Sequence, residues 1–172
     1  MTELEMKKYS RNALLGSFVS MLTAGLATMM YSVSISTIRT DLALTAVQAG
    51  SLGTYTFMGQ MLGGMVAGYL ADRYGRKNIL IVDVILATLA VFATSLLQSY
   101  SIFGILRFIT GVGLGGCYYI ASILIGEFVP TNKRGFMSGV ATSVWNFGYV
   151  VCCAMSAFAL PSIGWRWCFR IC

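Results

Sequence analysis

Long apolar runs, interrupted at intervals by short polar segments, dominate this chain. A helix needs about 20 apolar residues to cross the roughly 30 Å hydrocarbon core of a bilayer. Five runs meet that length, at 13–35, 47–70, 79–97, 102–126 and 136–160. They predict an all-α protein, a polytopic membrane helix bundle with a polar tail at 1–12. Pro161 is expected to end the fifth span. Gly164-Trp165-Arg166-Trp167 then reads as an interfacial aromatic entry into a sixth helix, over about 166–172, which is cut short. The first run is too long for a signal peptide, its leader carries Glu3 and Glu5, and no small-x-small site follows it. It is read as a permanent span.

Composition narrows the class. Of 172 residues, 57% are hydrophobic and only 10% charged, with a mean hydropathy of +0.76. An ordinary soluble domain carries roughly 25% charged residues, so a water-soluble globule, a nucleic-acid binder and a disordered segment are all excluded. The net charge of +6 is distributed as topology. Lys7, Lys8 and Arg11 precede the first span, Arg73, Arg76 and Lys77 follow the second, and Lys133 and Arg134 follow the fourth. The alternate connections are poorer, with Arg39 in one, none in 98–101, and Arg166 and Arg170 in the last. Positive residues stay on the cytoplasmic side, which predicts a cytoplasmic N-terminus in a multi-pass plasma-membrane protein.

Five cysteines (Cys117, Cys152, Cys153, Cys168 and Cys172) all lie in apolar or aromatic stretches, and there is no histidine. They read as small hydrophobes, and no metal or cofactor is expected. Glycines recur four apart at Gly59 and Gly63, Gly64 and Gly68, Gly111 and Gly115, and Gly135 and Gly139. Such spacing lets helices approach closely in lipid. The run from Gly111 to Gly116 imitates a dinucleotide loop, but it lies inside an apolar helix with no strand before it.

The loop after the second span reads Gly68-Tyr69-Leu70-Ala71-Asp72-Arg73-Tyr74-Gly75-Arg76-Lys77. Gly68 suits a close helix contact, Gly75 permits a sharp reversal, and Asp72 and Arg76 are four apart. This segment resembles the signature loop of the major facilitator superfamily, G-x-L-x-D-R-x-G-R-K, at every fixed position and between the same two spans. Arg107 through Gly113 resembles the family's fourth-span motif, an arginine followed by glycines. Glu127-Phe128-Val129-Pro130-Thr131-Asn132-Lys133-Arg134-Gly135 resembles the E-x-x-P-x-x-x-R-G junction of sugar porters and of organic-acid and metabolite symporters. The resemblance implies a cytoplasmic ion-pair cluster of Asp72, Arg73, Arg76, Glu127 and Arg134, with Gly68 and Gly75 shaping the loop. It acts either as a latch favouring one access state or as a static staple.

Within the spans, Arg107 lies about one and a half turns into the fourth. An arginine there faces a cavity or partner, or snorkels to the interface. On helical spacing it shares a face with Gly111, Tyr118 and Ser122. Asp83, seven residues beyond Arg76, either extends the ion-pair cluster or is a site that takes up and releases a proton. The fifth span carries a polar stripe including Ser138, Thr142, Asn146, Tyr149 and Cys153, with Trp145 alongside. Thr56 and Gln60 in the second span, and Thr28, Tyr31 and Ser34 in the first, add further polar groups. These line a solute cavity or make ordinary interhelical hydrogen bonds. Trp145, Asn146 and Tyr149 are the preferred solute contacts.

The resemblance implies one six-helix half of a two-half transporter, the N-terminal half of a major facilitator fold truncated in its sixth helix. The partners it implies are a small organic solute, a proton, the bilayer and the C-terminal half, with no nucleic acid. The expected function is alternating-access secondary transport of a sugar-like or organic-acid solute, by proton symport. An exporter exchanging solute for protons is the alternative of the same fold. The Gly-Pro of the antiporters' fifth-span motif is replaced here by Cys152 and Cys153, which favours symport or uniport. A non-transporting scaffold is a remote reading. An intramembrane enzyme lacks support, since there is no histidine, no paired acid and no Gly-x-Ser-x-Gly elbow.

Overall fold

The computed structural model describes residues 3–96 and 99–171, with side chains described over 11–96, 99–158 and 164–170. Cys172, the expected end of the third span at Leu97, the residue Gln98 and the side chains of Lys7, Lys8 and Pro161 lie outside the described set. Six α-helices follow one another: α1 (Glu3–Asp41), α2 (Ala46–Tyr74), α3 (Arg76–Thr94), α4 (Tyr100–Phe128), α5 (Arg134–Ile163) and α6 (Trp165–Ile171). A single 3-10 turn, Thr131–Lys133, joins α4 to α5. Among the described residues there is no strand, as the apolar periodicity predicts.

Local chemistry sets the boundaries. Thr45 opens α2 with a reciprocal cap, its hydroxyl accepting from the Gln48 N–H at 3.2 Å while Gln48 Oε1 accepts from the Thr45 N–H at 2.9 Å. Gly75 alone separates α2 from α3, at φ 89°, where its N–H still bonds the Ala71 carbonyl at 2.9 Å. That left-handed φ is what lets one residue reverse the chain. Two boundaries differ from the sequence reading. The segment expected as a tail is already helical from Glu3, so α1 has 39 residues and outruns a bilayer core. Pro161 does not end α5, which continues to Ile163 and turns at Gly164, φ 82°. A proline deletes one backbone donor, whereas a reversal needs the φ that glycine adopts freely.

Four helices contain stretches long and apolar enough to cross a membrane: Arg11–Asp41, Arg76–Thr94, Tyr100–Phe128 and Thr131–Phe158. Helix α2 has the same 29 residues as α4 but falls short on hydropathy, diluted by its glycines, Thr54, Thr56 and Gln60. Helix α4 is the hub. It packs most extensively on α2 and α3, and α1 packs on α5 and α4. At the α2–α4 crossing a β-carbon added to Gly59 would overlap the Phe108 carbonyl. One added to Gly63 or Gly115 would overlap the Val112 or Gln60 backbone respectively, and one on Gly111 the Thr56 carbonyl. Gly25 against the Trp145 carbonyl and Gly148 against the Leu22 carbonyl make the equivalent contact between α1 and α5. Gly64 is closed off by the Tyr119 ring, whereas at Gly68, Gly135 and Gly139 nothing beyond the glycine's own helix lies within 4 Å of the added carbon.

These contacts predict a clear contrast. Gly111→Ala should destabilise the solubilised protein by about 1–3 kcal/mol, because only backbone stands in the way. Gly139→Ala should change stability by no more than about 0.5 kcal/mol. Thermal unfolding of the two purified variants beside the parent checks the difference; equal melting temperatures would remove the close-packing account of the α2–α4 crossing.

Candidate functional site

At one end of the bundle, the α2–α3 reversal meets the end of α4. Arg76, the first residue of α3, pairs with Glu127 near the end of α4 and lies 3.6 Å from Asp72, one turn back across Gly75. Arg76 is mostly covered, whereas Asp72 is 74% exposed, so the Glu127 contact is the sheltered half of the network. The two remaining cations of the expected cluster stand apart. The Arg73 guanidinium lies 5.9 Å from the Tyr74 ring. Arg134 opens α5 beyond Pro130 and the 3-10 turn and is exposed. Among the described residues neither is within ion-pair distance of a carboxylate. Asp83 does not join the network: it is 7% exposed and buried between α3 and α4.

At the opposite end, Arg107 is fully buried, with no exposed surface. Snorkelling, one of the two sequence readings, is therefore not its arrangement. Its guanidinium carbon lies 4.8 Å from the Tyr31 ring, 4.9 Å from Phe169 and 5.5 Å from Phe103. Aromatic faces return part of the stabilisation that water supplied to the cation. Yet Nε and Nη2 have no hydrogen-bond partner, and no carboxylate among the described residues pairs with the group.

The cage is assembled from three distant segments. Tyr31 comes from α1 and is fixed by its hydroxyl, which donates to the Ala49 carbonyl at 2.5 Å. Phe103 sits one turn before Arg107 on α4. Phe169 comes from α6, which Asp41 anchors: one carboxylate oxygen accepts from Trp165 Nε1 and from Arg166 Nη2, each at 3.0 Å. Trp165 in turn packs edge-on against Phe169, ring centres 5.7 Å apart. Sequence reasoning placed Tyr31 among the polar groups of α1 but did not find Phe103, Phe169 or the Asp41 anchor. Phe103 is one turn from Arg107, a spacing that could have signalled it; nothing in the spacing of Phe169 or Asp41 signals a contact with a residue more than 60 positions away.

Arg107 lines a cavity of about 480 Å³ together with Thr28, Tyr31, Thr56, Gln60 and Trp145. A second cavity, of about 280 Å³, adjoins it and shares Thr28, Gln60 and Trp145, adding Tyr118 and Thr142. Arg107, Gln60, Tyr118, Thr142 and Trp145 are thus brought to two adjoining cavities. Asn146 and Tyr149 do not line either of these two cavities; both are exposed, and Asn146 Nδ2 donates to the Thr142 carbonyl on its own helix at 2.9 Å. The reason is angular. Asn146 follows Trp145 directly, about 100° around the helix.

Chemically this is a cation with open donor positions, flanked by an amide, hydroxyls and aromatic faces. Among the described residues no cluster suited to a metal ion is present, and Cys117, Cys152, Cys153 and Cys168 are free thiols. The space is large enough for a small organic molecule.

Comparison with known proteins agrees with this architecture. The chain is 33% identical over 159 residues to the cis,cis-muconate transport protein of Acinetobacter baylyi, an alignment covering 92% of this chain and 38% of that protein. It is 34% identical to the niacin transporter NiaP of the same organism, over 80% of this chain and 31% of that one. The inward-open structure of the xylose transporter XylE from E. coli superposes with a TM-score of 0.80 at 22% identity, covering 95% of this chain and 45% of XylE. The chain thus spans less than half the length of each of these relatives, which carry the names of transporters rather than enzymes. The family model described as Major Facilitator Superfamily matches residues 17–172, and with the half-bundle fold, the signature loop and the relatives in agreement, this chain belongs to the Major Facilitator Superfamily.

Proposed function

We propose that this chain forms the N-terminal half of a secondary transporter that moves a small organic acid across the plasma membrane by alternating access, with a proton as the co-transported ion. One observation carries the reading: the buried Arg107 guanidinium, with Nε and Nη2 unpartnered, belongs to the lining of a cavity. A cation so placed is costly, and an anionic solute offsets that cost by completing its hydrogen bonds. Between the two solute classes the sequence left open, the cation favours the acid over the sugar. The names of the relatives lean the same way, since muconate and niacin are both carboxylic acids. Proton symport draws support from the likeness of fold to the proton:xylose symporter XylE. In this reading α2 is the fifth long span, the N-terminus is cytoplasmic, and the open surface at Gly68 and exposed Asp72 face the second half of the transporter.

The Asp72–Arg76–Glu127 network then acts as a latch at the cytoplasmic end. A mostly exposed pair is worth about 0–1 kcal/mol. That is small against the whole fold but enough to shift a near-balanced equilibrium several-fold.

Two outcomes test these roles. In the reconstituted full-length protein, labelled muconate or nicotinate should be taken up and glucose should not. Arg107→Gln should raise the half-saturation concentration roughly 10- to 100-fold, the equivalent of about 1.5–3 kcal/mol for a charge-assisted contact. Uptake of a carboxylate unaffected by that change would remove the solute role of Arg107. For the latch, Glu127→Gln should speed amide exchange across residues 71–79 by up to about fivefold, matching the loss of roughly 1 kcal/mol. Unchanged exchange there would leave the network a static staple.

A further inference from the structure

One buried ionisable group has no part in either the cavity or the latch. Asp83 lies seven residues beyond Arg76, about 10 Å along α3 at 1.5 Å per residue. It is 7% exposed, and its Oδ2 is buried without a hydrogen-bond partner. The carboxyl fills a slot that α4 leaves open: a β-carbon on Gly116 would overlap Oδ2, and one on Gly113 would lie 2.7 Å from the Asp83 backbone oxygen. The cations of its own helix do not compensate it. Arg76 is engaged by Glu127 and Asp72, and among the described residues no cation is within ion-pair distance of Asp83.

The groups around it are few. From α4 the titratable neighbour is Cys117, a buried free thiol one residue on from Gly116. Helix α2 brings Ala67 to the same slot. Helix α1 brings Thr23, Ala24 and Ala27 to a narrow gap beside it, and none of these titrates. Helix α6 approaches α3 through Arg170, which donates to Ser95 at the other end of the helix.

Asp83 itself does not line that gap, which begins at its chain neighbour Val84. Val84, Ala87 and Cys117 line it, with a volume of about 20 Å³, room for about one water molecule. It shares Ala24 and Leu114 with the 280 Å³ cavity, which in turn shares Gln60 and Trp145 with the Arg107 cavity. Among the acids whose side chains are described, Asp83 is the one buried in the interior of a span; Asp41, Asp72 and Glu127 are at helix ends and partly or fully exposed.

We infer that Asp83 is the proton-carrying carboxyl of this half, a site distinct from the solute-facing Arg107. The inference rests on the proposed proton-coupled transport. With α3 closed on α4, the carboxyl is neutral, because an ionised carboxylate with an unpartnered oxygen in this setting is strongly disfavoured. Loss of the proton to water leaves a carboxylate that favours a state in which α3 and α4 part at the glycine slot and water reaches Oδ2. Taking up a proton from the opposite side re-forms the neutral carboxyl and closes the slot. Differential affinity of the proton for the two states is all the coupling requires.

Two measurements on the full-length protein test this. In infrared difference spectra between acid and alkaline pH, the purified protein should show the loss of a protonated-carboxyl band that Asp83→Asn abolishes. Identical difference spectra would overturn the inference whatever the solute, so this arm does not depend on the transport reading. In proteoliposomes with labelled nicotinate or muconate, a gradient of one pH unit should drive accumulation towards about tenfold for one proton per solute. Asp83→Asn should lower that to roughly onefold while solute exchange at equal pH persists. Gradient-driven accumulation by Asp83→Asn equal to that of the parent would overturn the proton role. A parent protein that neither exchanges nor accumulates either acid would instead count against the proposed function. Should Asp83→Asn not fold, Asp83→Glu serves in its place: it should keep the band but shift the pH at which it disappears, and an unshifted band would overturn the assignment.

Discussion

Where α2 and α4 cross, backbone occupies the space that side chains would otherwise take. The carbonyls of Thr56, Phe108 and Val112 stand where β-carbons on Gly111, Gly59 and Gly63 would be. In lipid, helices gain nothing from burying apolar surface against each other, because the tails are as apolar as leucine. What remains is van der Waals contact and weak Cα–H···O interaction, both of which need this closeness. The glycine seam therefore sets the position of α4, and α4 carries both Arg107 and the slot for Asp83.

From that seam the polar geometry follows. One side of α4 is drawn onto α2, which brings Gln60 and Thr56 to the space that Arg107 lines. The other side is drawn onto α3, where Gly113 and Gly116 make room for Asp83. The cation, on α4, and the acid, which α3 packs against another face of α4, thus do not neutralise each other. The aromatic cage around Arg107 is held from outside the seam, by the Asp41 contacts with Trp165 and Arg166 that tie α6 to α1. At the far end the Arg76–Glu127 pair ties α3 to α4 just where α2 reverses at Gly75.

The sequence by itself determined the class and the order of parts. Apolar runs of membrane length specify helices because no other open structure satisfies its backbone in lipid, and the signature loop, the fourth-span arginine and the junction after α4 pointed to the family. Local pairings were partly legible: Asp72 and Arg76 are four positions apart on either side of Gly75, the residue that can reverse there. Tertiary structure alone decided which polar residues meet. Helical spacing put Arg107 and Tyr118 on one stripe, yet they line adjoining cavities, and Asn146 turns away although Trp145 beside it faces in. Phe169 reaches Arg107 from a different helix, a contact between residues far apart in the chain that no local period encodes. Whether Asp83 joined Arg76 or stood alone was likewise settled by packing, because Glu127, remote in sequence, takes the arginine first.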